Sequence, residues 1–237
     1  MQPVTLNGQS IKPGKVVCIG KNYAAHIAEM DSVAADDMVV FMKPSTAIGQ
    51  KLISVMDEPL HYEGEICLMM LDGRVGAVGF GLDLTKRATQ AKLKAAGLPW
   101  ERSKAFTGSA LFSDFVPAPE SLDQLGIELQ VDGSLRQKGD VSLMLYPPLI
   151  ILEELAQFCR LEDYDIVMTG TPAGVGMVSF KIDNCNNLSL SRCMLTRLPR
   201  PLGQGYMLVE CISVTRVRPR TSKGITDLLL PPSSFIL

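Results

Sequence analysis

Short apolar runs that end in Asp-Gly turns constrain the fold of this chain more than any other feature of its sequence. Residues 63–70 and 77–83 are β-rich runs on either side of Asp72-Gly73, and Asp-Gly favours the two-residue turn of a β-hairpin. A second such run, 127–131, leads into Asp132-Gly133. The sequence therefore predicts hairpins and a fold dominated by β-strands.

The remaining predicted elements are short strands and short helices. The strands lie at 15–19 and 165–169, and the helices at 23–30, 85–96 and 149–159. The expected helix caps are Asn22 for the first helix, and Asp83 or Thr85 with Gly97 for the second. These elements predict an α+β, β-dominated domain with short peripheral helices. The last part of the chain, 178–237, shows no sustained period of 2 or 3.6 residues.

Charge and composition exclude several classes of protein. The 237 residues carry a formal net charge of −2, whereas proteins that bind nucleic acid or membrane surfaces usually have a basic excess. The longest apolar region, 143–152, is interrupted by Pro147 and Pro148 and is too short to span a membrane. The N-terminus has no secretory signal, so we expect a cytoplasmic protein that binds small molecules. Scattered cysteines without a Cys-x-x-Cys pair predict reduced thiols, and neither disulfides nor a zinc site.

Three acidic residues, Glu63, Glu65 and Asp83, form a candidate metal site. Side chains alternate along a strand, so Glu63 and Glu65 share one face at about 6.6 Å of rise. An isolated Glu-x-Glu also occurs on solvated strand edges, but the predicted hairpin returns Asp83 to the same place. Carboxylates gathered in this way repel one another and require a cation between them. Oxygen ligands without His or Cys at metal spacing favour Mg²⁺ or Mn²⁺ over Ca²⁺ and disfavour zinc.

A second constellation is His26 with Glu29. Residues three apart share a helix face, so Glu29 can orient the imidazole of His26 and raise its basicity. This pair is a candidate general base for water activation, although a lone His is also commonly structural. The other histidine, His61, adjoins the metal residues, and we interpret it as structural or as a support for the metal ligands.

Seven motifs occur in a recognisable order. They are GKNYAAHIAEM, MKPSTAIG, HYEGE, GLDLTKRATQ, LPWERSKAF, SLRQKGD and TGTPAGVG. The series resembles the fumarylacetoacetate hydrolase family, including its single-domain acylpyruvate hydrolase members, over residues 15–176. The glycine-rich TGTPAGVG lacks the Gly-Lys-Ser/Thr ending of a nucleotide loop, and its backbone N–H groups are candidates for holding a substrate carboxylate.

The resemblance implies the family's roll of mixed β-sheets and a homodimer. It implies a catalytic domain at 15–237 after an N-terminal extension at 1–14, with 178–237 as a divergent C-terminal part. The residues that match family positions are Glu63, Glu65 and Asp83 as Mg²⁺ ligands, His26 and Glu29 as the water-activating pair, Lys104 as the cation facing the substrate, and Gln137 and Thr171 near the bound oxo acid.

Three functions follow as hypotheses. The first is a Mg²⁺-dependent hydrolase of a C–C bond in acylpyruvates, in which the metal chelates the oxo acid and His26 activates water. The second is an oxaloacetate decarboxylase, or an isomerase or hydratase of unsaturated 2-oxo diacids, which would use the same metal chemistry. The third is a catalytically impaired protein that binds oxo acids. The sequence does not specify the acyl group.

Overall fold

The computed structural model describes residues 2–33, 35–131 and 134–178, and beyond them only the backbone of four short strands. The strands are β1 Val4–Leu6, β2 Gln9–Ile11, β3 Lys15–Gly20, β4 Val39–Pro44, β5 Val55–Met56, β6 Glu58–Tyr62, β7 Gly64–Leu71, β8 Arg74–Asp83, β9 Thr85–Lys86, β10 Ala110–Phe112, β11 Val116–Pro117, β12 Leu125–Val131, β13 Ser134–Asp140, β14 Ile166–Met168, β15 Gly176–Met177, β16 Leu188–Leu190, β17 Cys193–Leu198, β18 Tyr206–Cys211 and β19 Val214–Arg216. The α-helices are α1 Ala24–Glu29, α2 Arg87–Ala95, α3 Glu101–Lys104 and α4 Pro148–Ala156, and short 3-10 helices lie at Ser45–Ala47, Leu122–Gln124 and Val141–Leu143.

The hairpin of β7 and β8 is the centre of the fold. Asp72 and Gly73 have φ angles of 51° and 72°, the two positive values that a type I′ turn requires, so the predicted hairpin is confirmed. Consecutive residues of β7 belong to different apolar clusters: Ile66 packs in one cluster, and Cys67 packs in the other. Both faces of the hairpin are therefore covered, and each large apolar side chain buried there contributes about 1.5–3 kcal/mol.

The main sheet has the strand order β10-β8-β7-β14-β3-β4, and β11 also pairs with β8. Strand β14 lies between two strands that are distant in sequence. It runs parallel to β3 and antiparallel to β7. The sheet is therefore mixed, and the end of β14 brings the glycine-rich segment that follows it close to the start of β7.

The remaining described strands form two two-stranded sheets, β1-β2 and β16-β19, and two four-stranded sheets. The orders of the four-stranded sheets are β13-β12-β18-β17 and β15-β6-β5, with β9 pairing to β6. Strand β12 is antiparallel to β13 and parallel to β18. This strand-rich arrangement of mixed sheets with short helices outside them confirms the predicted fold class. Among the described helices, none has the length and apolar character needed to cross a bilayer.

The expected cap of the first helix was wrong. Helix α1 begins after Tyr23 without a side-chain cap, while Asn22 is fully buried and ties two other segments together. The amide of Asn22 donates to the carbonyl oxygens of Tyr146 and Thr169 at 2.9 and 2.8 Å. Its own oxygen accepts from the N–H of Tyr146 at 2.7 Å. Tertiary hydrogen bonds therefore replace the capping role.

The predicted helix at 85–96 begins two residues late. Thr85 and Lys86 form β9, so neither Asp83 nor Thr85 caps α2. The carboxylate of Glu58, on the neighbouring strand β6, accepts from the backbone N–H groups of Ala88 and Thr89 at 2.8 and 3.2 Å. It thus satisfies the open N–H groups of the first helical turn from outside the helix.

The C-terminal stop of α2 is confirmed. Gly97 has a φ of 64°, and its N–H donates to the carbonyl of Lys94 at 3.1 Å. The N–H of Leu98 donates to the carbonyl of Leu93 at 2.9 Å. These two bonds form a Schellman motif, which favours glycine at the left-handed position.

Residues 1–14, assigned to an N-terminal extension, contain the hairpin of β1 and β2. This hairpin is bound to the body, since the N–H of Asn7 donates to the carbonyl of Phe115 at 2.9 Å and the N–H of Phe115 donates to the carbonyl of Thr5 at 2.8 Å. The domain boundary at Lys15 stays a prediction. The turn 132–133 lies outside the described residues, as does 178–237 apart from Val178 and the backbone of β16 to β19. Within the described part, Cys18, Cys67 and Cys159 are free thiols.

Candidate metal and proton-transfer site

The three predicted acidic residues meet at one end of the central hairpin. Glu63 precedes β7, Glu65 is its second residue, and Asp83 ends β8. The N–H of Asp83 donates to the carbonyl of Glu63 at 2.8 Å, which holds the two backbones together. One carboxylate oxygen from each residue lies within 4.8 Å of the others. All three side chains are buried, so the solvated strand edge is excluded.

Three cationic side chains surround the carboxylates. Lys104 donates to Glu63, Asp83 and the hydroxyl of Thr85, each at 2.7 Å. Arg87 donates to the second oxygen of Glu63. Lys104 was predicted to face the substrate; it does line the cleft, but these three bonds occupy its three ammonium protons.

The third cation, Lys43, was not singled out from the sequence. Its side chain is fully buried, and its ammonium lies 2.8 Å from Oδ1 of Asp83. Its protons are directed to other acceptors, which are the carbonyl of Lys104 and the carbonyl and hydroxyl of Ser109. The contact with Asp83 is therefore electrostatic. The only sequence signal was a charged residue inside the β-run of β4.

The carboxylates differ in how readily they ionise. Burial opposes ionisation of Glu63, but its ion pairs with Lys104 and Arg87 outweigh burial and hold its pKa well below the usual range. Burial and the adjacent charges of Asp83 and Glu63 raise the pKa of Glu65, despite a hydrogen bond from the N–H of Gly170. Glu63 is thus held ionised, whereas Glu65 tends to hold a proton.

This donor set suits a hard divalent ion. Only oxygen atoms converge, and Oδ1 of Asp83 is buried without an aligned hydrogen-bond donor. Buried polar atoms normally have such a donor, so a metal bond is a natural partner for this oxygen. Glu63, Glu65 and Asp83 would hold the ion, which fits Mg²⁺ or Mn²⁺ better than a metal that prefers nitrogen or sulfur.

The second predicted pair, His26 and Glu29, is also formed. Nδ1 of His26 donates to Oε2 of Glu29 at 3.2 Å, because a carboxylate can only accept. That tautomer leaves Nε2 free to take a proton. The other oxygen of Glu29 accepts from the N–H of Gly174 at 2.9 Å. His26 lines the cleft with the three carboxylates, and Glu29 lies behind it.

The glycine-rich segment 169–176 serves the protein's own carboxylates. Its N–H groups at Gly170 and Gly174 donate to Glu65 and Glu29, and these two donors are therefore not free for a substrate carboxylate, contrary to expectation. The segment thus fixes a metal-site residue and the partner of the base at once.

Gln137 and Thr171, predicted near the substrate, are placed differently from each other. Thr171 lines the cleft. Gln137 is fully buried beneath it, where its amide donates to the hydroxyl of Thr171 at 2.7 Å and to the carbonyl of Pro172 at 2.8 Å. The oxygen of Gln137 accepts from the N–H of Gly64 at 2.8 Å. Its bonds join the glycine-rich segment to the start of β7, and a substrate contact by Gln137 stays a prediction.

Metal affinity should rise with pH, because an ion must displace the proton that Glu65 tends to hold. Below the raised pKa of Glu65, we expect the dissociation constant for Mn²⁺ to worsen by up to about tenfold per pH unit, with one proton released on binding. The stability of the metal-free protein changes in the opposite direction. As pH rises through this pKa, Glu65 loses its proton in the folded state, and the free energy of unfolding falls. Calorimetry in buffers of different ionisation enthalpy measures the proton. In Glu65→Gln the released proton should disappear, and its persistence would assign it to another group.

Known proteins and a family profile match most of the described part of this chain. The family profile described as "Fumarylacetoacetate (FAA) hydrolase C-terminal" matches residues 15–200, and one described as "Eukaryotic microprotein" matches 213–236. Oxaloacetate tautomerase FAHD1, mitochondrial, of Homo sapiens is 37% identical over 182 residues, which cover 69% of this chain and 81% of that protein. Oxaloacetate tautomerase YcgM of Escherichia coli (strain K12) is 37% identical over 180 residues, which cover 68% of this chain and 82% of it.

A solved structure adds chemical detail. Fumarylpyruvate hydrolase from Pseudomonas aeruginosa, in complex with Mn²⁺ and pyruvate, matches with a TM-score of 0.68 and 31% identity. The match covers 76% of this chain and 88% of that one. That protein binds a divalent ion together with a 2-oxo acid.

Proposed function

Because this chain belongs to the fumarylacetoacetate hydrolase family, we propose that it is a Mg²⁺- or Mn²⁺-dependent enzyme that interconverts the keto and enol forms of a dicarboxylic 2-oxo acid such as oxaloacetate. The observation that carries the proposal is one cleft lined by three buried carboxylates and by His26, whose imidazole is hydrogen-bonded to Glu29. Among its relatives, those named oxaloacetate tautomerases support the isomerase hypothesis more strongly than the acylpyruvate hydrolase hypothesis.

The chemistry divides between the ion and the side chains. Bound to the three carboxylates, the ion would supply Lewis-acid polarisation of the 2-oxo carbonyl. His26 accepts a proton at Nε2 from the carbon next to that carbonyl and delivers a proton to the oxygen of the 2-oxo group, which gives the enol; the reverse reaction takes the enol proton and returns a proton to carbon. Glu29 stabilises the imidazolium while that proton is held. Lys104 and Arg87 keep Glu63 ionised, so that it is ready to bind the ion.

A second candidate is hydrolysis of a C–C bond in an acylpyruvate. The likeness to a fumarylpyruvate hydrolase that holds Mn²⁺ and pyruvate favours it. In this reaction His26 would remove a proton from water rather than from carbon. A decarboxylase of oxaloacetate would need no water activation. These reactions share a metal site and differ in product.

One assay separates the candidates. Enol absorbance is followed for oxaloacetate and for a panel of acylpyruvates, with Mg²⁺, with Mn²⁺ and with EDTA, while pyruvate is measured as a product. Metal-dependent equilibration of oxaloacetate without pyruvate release supports the tautomerase. Pyruvate from acylpyruvates supports the hydrolase, and pyruvate from oxaloacetate supports the decarboxylase. Binding of these acids without turnover of any of them would leave the catalytically impaired binding protein.

We expect His26→Ala to lower turnover by about 10²- to 10⁴-fold, the usual contribution of a positioned general base. Mn²⁺ affinity should not change, because His26 is not among the three residues that would hold the ion. The matched control is His61→Ala, the other histidine of the chain, which does not line the cleft. Full activity in His26→Ala, or equal loss in both variants, would contradict the assigned role.

Two further expectations stay proposals. The homodimer is a prediction that sedimentation of the whole chain can test. A cytoplasmic location is likewise a prediction; the human relative bears the word mitochondrial in its name, so both compartments need to be examined by imaging.

A further inference from the structure

Two lysines on the rim of the cleft have no role in the chemistry described above. Lys21 follows β3 in the loop before α1, and Lys94 lies in the last turn of α2. Both line the cleft that holds the three carboxylates and His26. Two elements that are distant in sequence therefore contribute positive charge to one opening.

Neither rim lysine is paired with an acidic group. Within residues 2–33, 35–131 and 134–178, Lys43, Arg87 and Lys104 each contact a carboxylate of the cluster, whereas neither Lys21 nor Lys94 forms an ion pair. Lys21 donates one hydrogen bond, to the carbonyl of Val33 at 2.8 Å. These rim ammonium groups therefore keep protons available for a ligand.

Lys94 is held in place by an aromatic ring. Its ammonium lies 4.8 Å from the ring centroid of Trp100, a cation–π contact that positions a charge without using a hydrogen-bond acceptor. Trp100 in turn packs against Phe41, with ring centroids 5.9 Å apart, and Gly20 leaves room for the indole. The position of Lys94 on the rim is thus supported by packing.

The excess of positive charge in the cleft favours an anion with more than one negative group. Four cationic side chains and three carboxylates line it, so a bound divalent ion raises the positive excess to three. Burial and the charges of Arg87 and Lys21 lower the pKa of Lys94, which shows that these cations oppose one another. A ligand with two carboxylates reduces the excess further than a ligand with one.

Part of the lining of the cleft is apolar and suits a carbon chain. Ile19, Ile27 and Phe41 line the same cleft, and they offer apolar contact rather than hydrogen bonds. A ligand that matches the metal residues, the apolar lining and the two lysines has an oxo-acid end, a short carbon linker and a second carboxylate.

We propose that Lys21 and Lys94 form a subsite that binds the distal carboxylate of a dicarboxylic 2-oxo acid. The 2-oxo end of the acid lies at the Glu63–Glu65–Asp83 cluster. The proposal rests on the proposed function, since that function brings the oxo acid to the cluster. It adds the residues that distinguish a dicarboxylic acid from a monocarboxylic acid.

Calorimetry with two ligands of equal chain length tests the subsite. On the Mn²⁺-loaded protein, 2-oxoglutarate carries a distal carboxylate, and 2-oxopentanoate carries a methyl group in its place. We expect the wild type to prefer 2-oxoglutarate by about tenfold or more. Lys21→Met and Lys94→Met should each weaken 2-oxoglutarate about fivefold, a modest value for a partly solvated ion pair, and leave 2-oxopentanoate unchanged. Lys94→Arg should retain the preference.

The matched control is Lys92→Met, an exposed lysine of the same helix that does not line the cleft, and it should change neither affinity. Equal binding of both ligands by the wild type would overturn the subsite alone. So would an equal loss for both ligands in the lysine variants, which indicates a merely structural role. If Mn²⁺ binds and neither oxo acid does, the proposed function fails and the subsite falls with it.

Discussion

Replacing Asp83 by Asn is expected to abolish metal-dependent turnover while the protein stays folded. Loss of a residue that merely supports a metal ligand costs 10- to 100-fold, so loss of a ligand itself should cost at least about 100-fold in activity. The protein should lose some stability but stay folded: the amide oxygen can still accept from Lys104, while the amide nitrogen takes the place of Oδ1 beside the ammonium of Lys43. Loss of the Asp83 charge also lets Glu65 ionise more readily, which restores charge balance around the lysines. Activity with Mn²⁺ and thermal unfolding of the same sample measure both effects.

The control for this variant is Asp57→Asn. Asp57 is also paired with a lysine, Lys86 at 2.9 Å, but its side chain is 87% exposed. We expect no loss of turnover from this change. If Asp83→Asn keeps turnover that EDTA removes and Mn²⁺ restores, the three carboxylates do not form the catalytic metal site.

Replacing Lys43 by Met should give the largest loss of stability, about 3–5 kcal/mol, which is typical when one partner of a buried ion pair is removed. The ammonium of Lys43 serves the carbonyl of Lys104, two oxygens of Ser109 and the charge of Asp83. Methionine fills the space but satisfies none of these oxygens. Urea denaturation, followed by circular dichroism, gives the change in the free energy of unfolding.

Lys12→Met is the corresponding surface change, because Lys12 is exposed, and it should alter the free energy of unfolding by less than about 0.5 kcal/mol. A loss below about 1 kcal/mol for Lys43→Met would mean that the cost of burying the ammonium cancels its contacts. Lys43 would then contribute to the charge of the site rather than to the stability of the fold.

The parts of the site that could be predicted from the sequence are those set by local geometry. The turn at Asp72-Gly73 predicts that β7 pairs with β8 in a hairpin. A β-bulge between Met69 and Met70 then shifts the register by one residue, and this shift puts Asp83 beside Glu63 and on the same face of the sheet. The spacing of His26 and Glu29 on one helix similarly fixes their contact. The pairing of the two strands and the contact of His26 with Glu29 needed only a turn signal and the periods of a strand and a helix, whereas the bulge could not be predicted from them.

Contacts between distant segments could not be predicted in this way. Lys43 contacts Asp83, which lies 40 positions further along the chain, and nothing in the sequence around Lys43 indicates which strand lies beside it. Thr85 and Lys86 fit a helical pattern but pair with β6 instead, because tertiary pairing overrides weak helix propensity. The N–H groups of Gly170 and Gly174 were expected to be open, yet they bind protein carboxylates that only the folded sheet brings near.

The position of β14 between β3 and β7 affects how the protein folds while it is being synthesised on the ribosome. Val16 pairs with Ile166, and Ile166 also pairs with Met69. Strands β3 and β7 therefore cannot complete their pairing in the main sheet until β14 has been synthesised. Closing so long a loop is slow and entropically costly. Until β14 has emerged, the His26 region and the acidic hairpin are not joined through the main sheet. The complete site therefore arises late in synthesis, and a nascent chain that ends before β14 lacks the strand that unites its two halves.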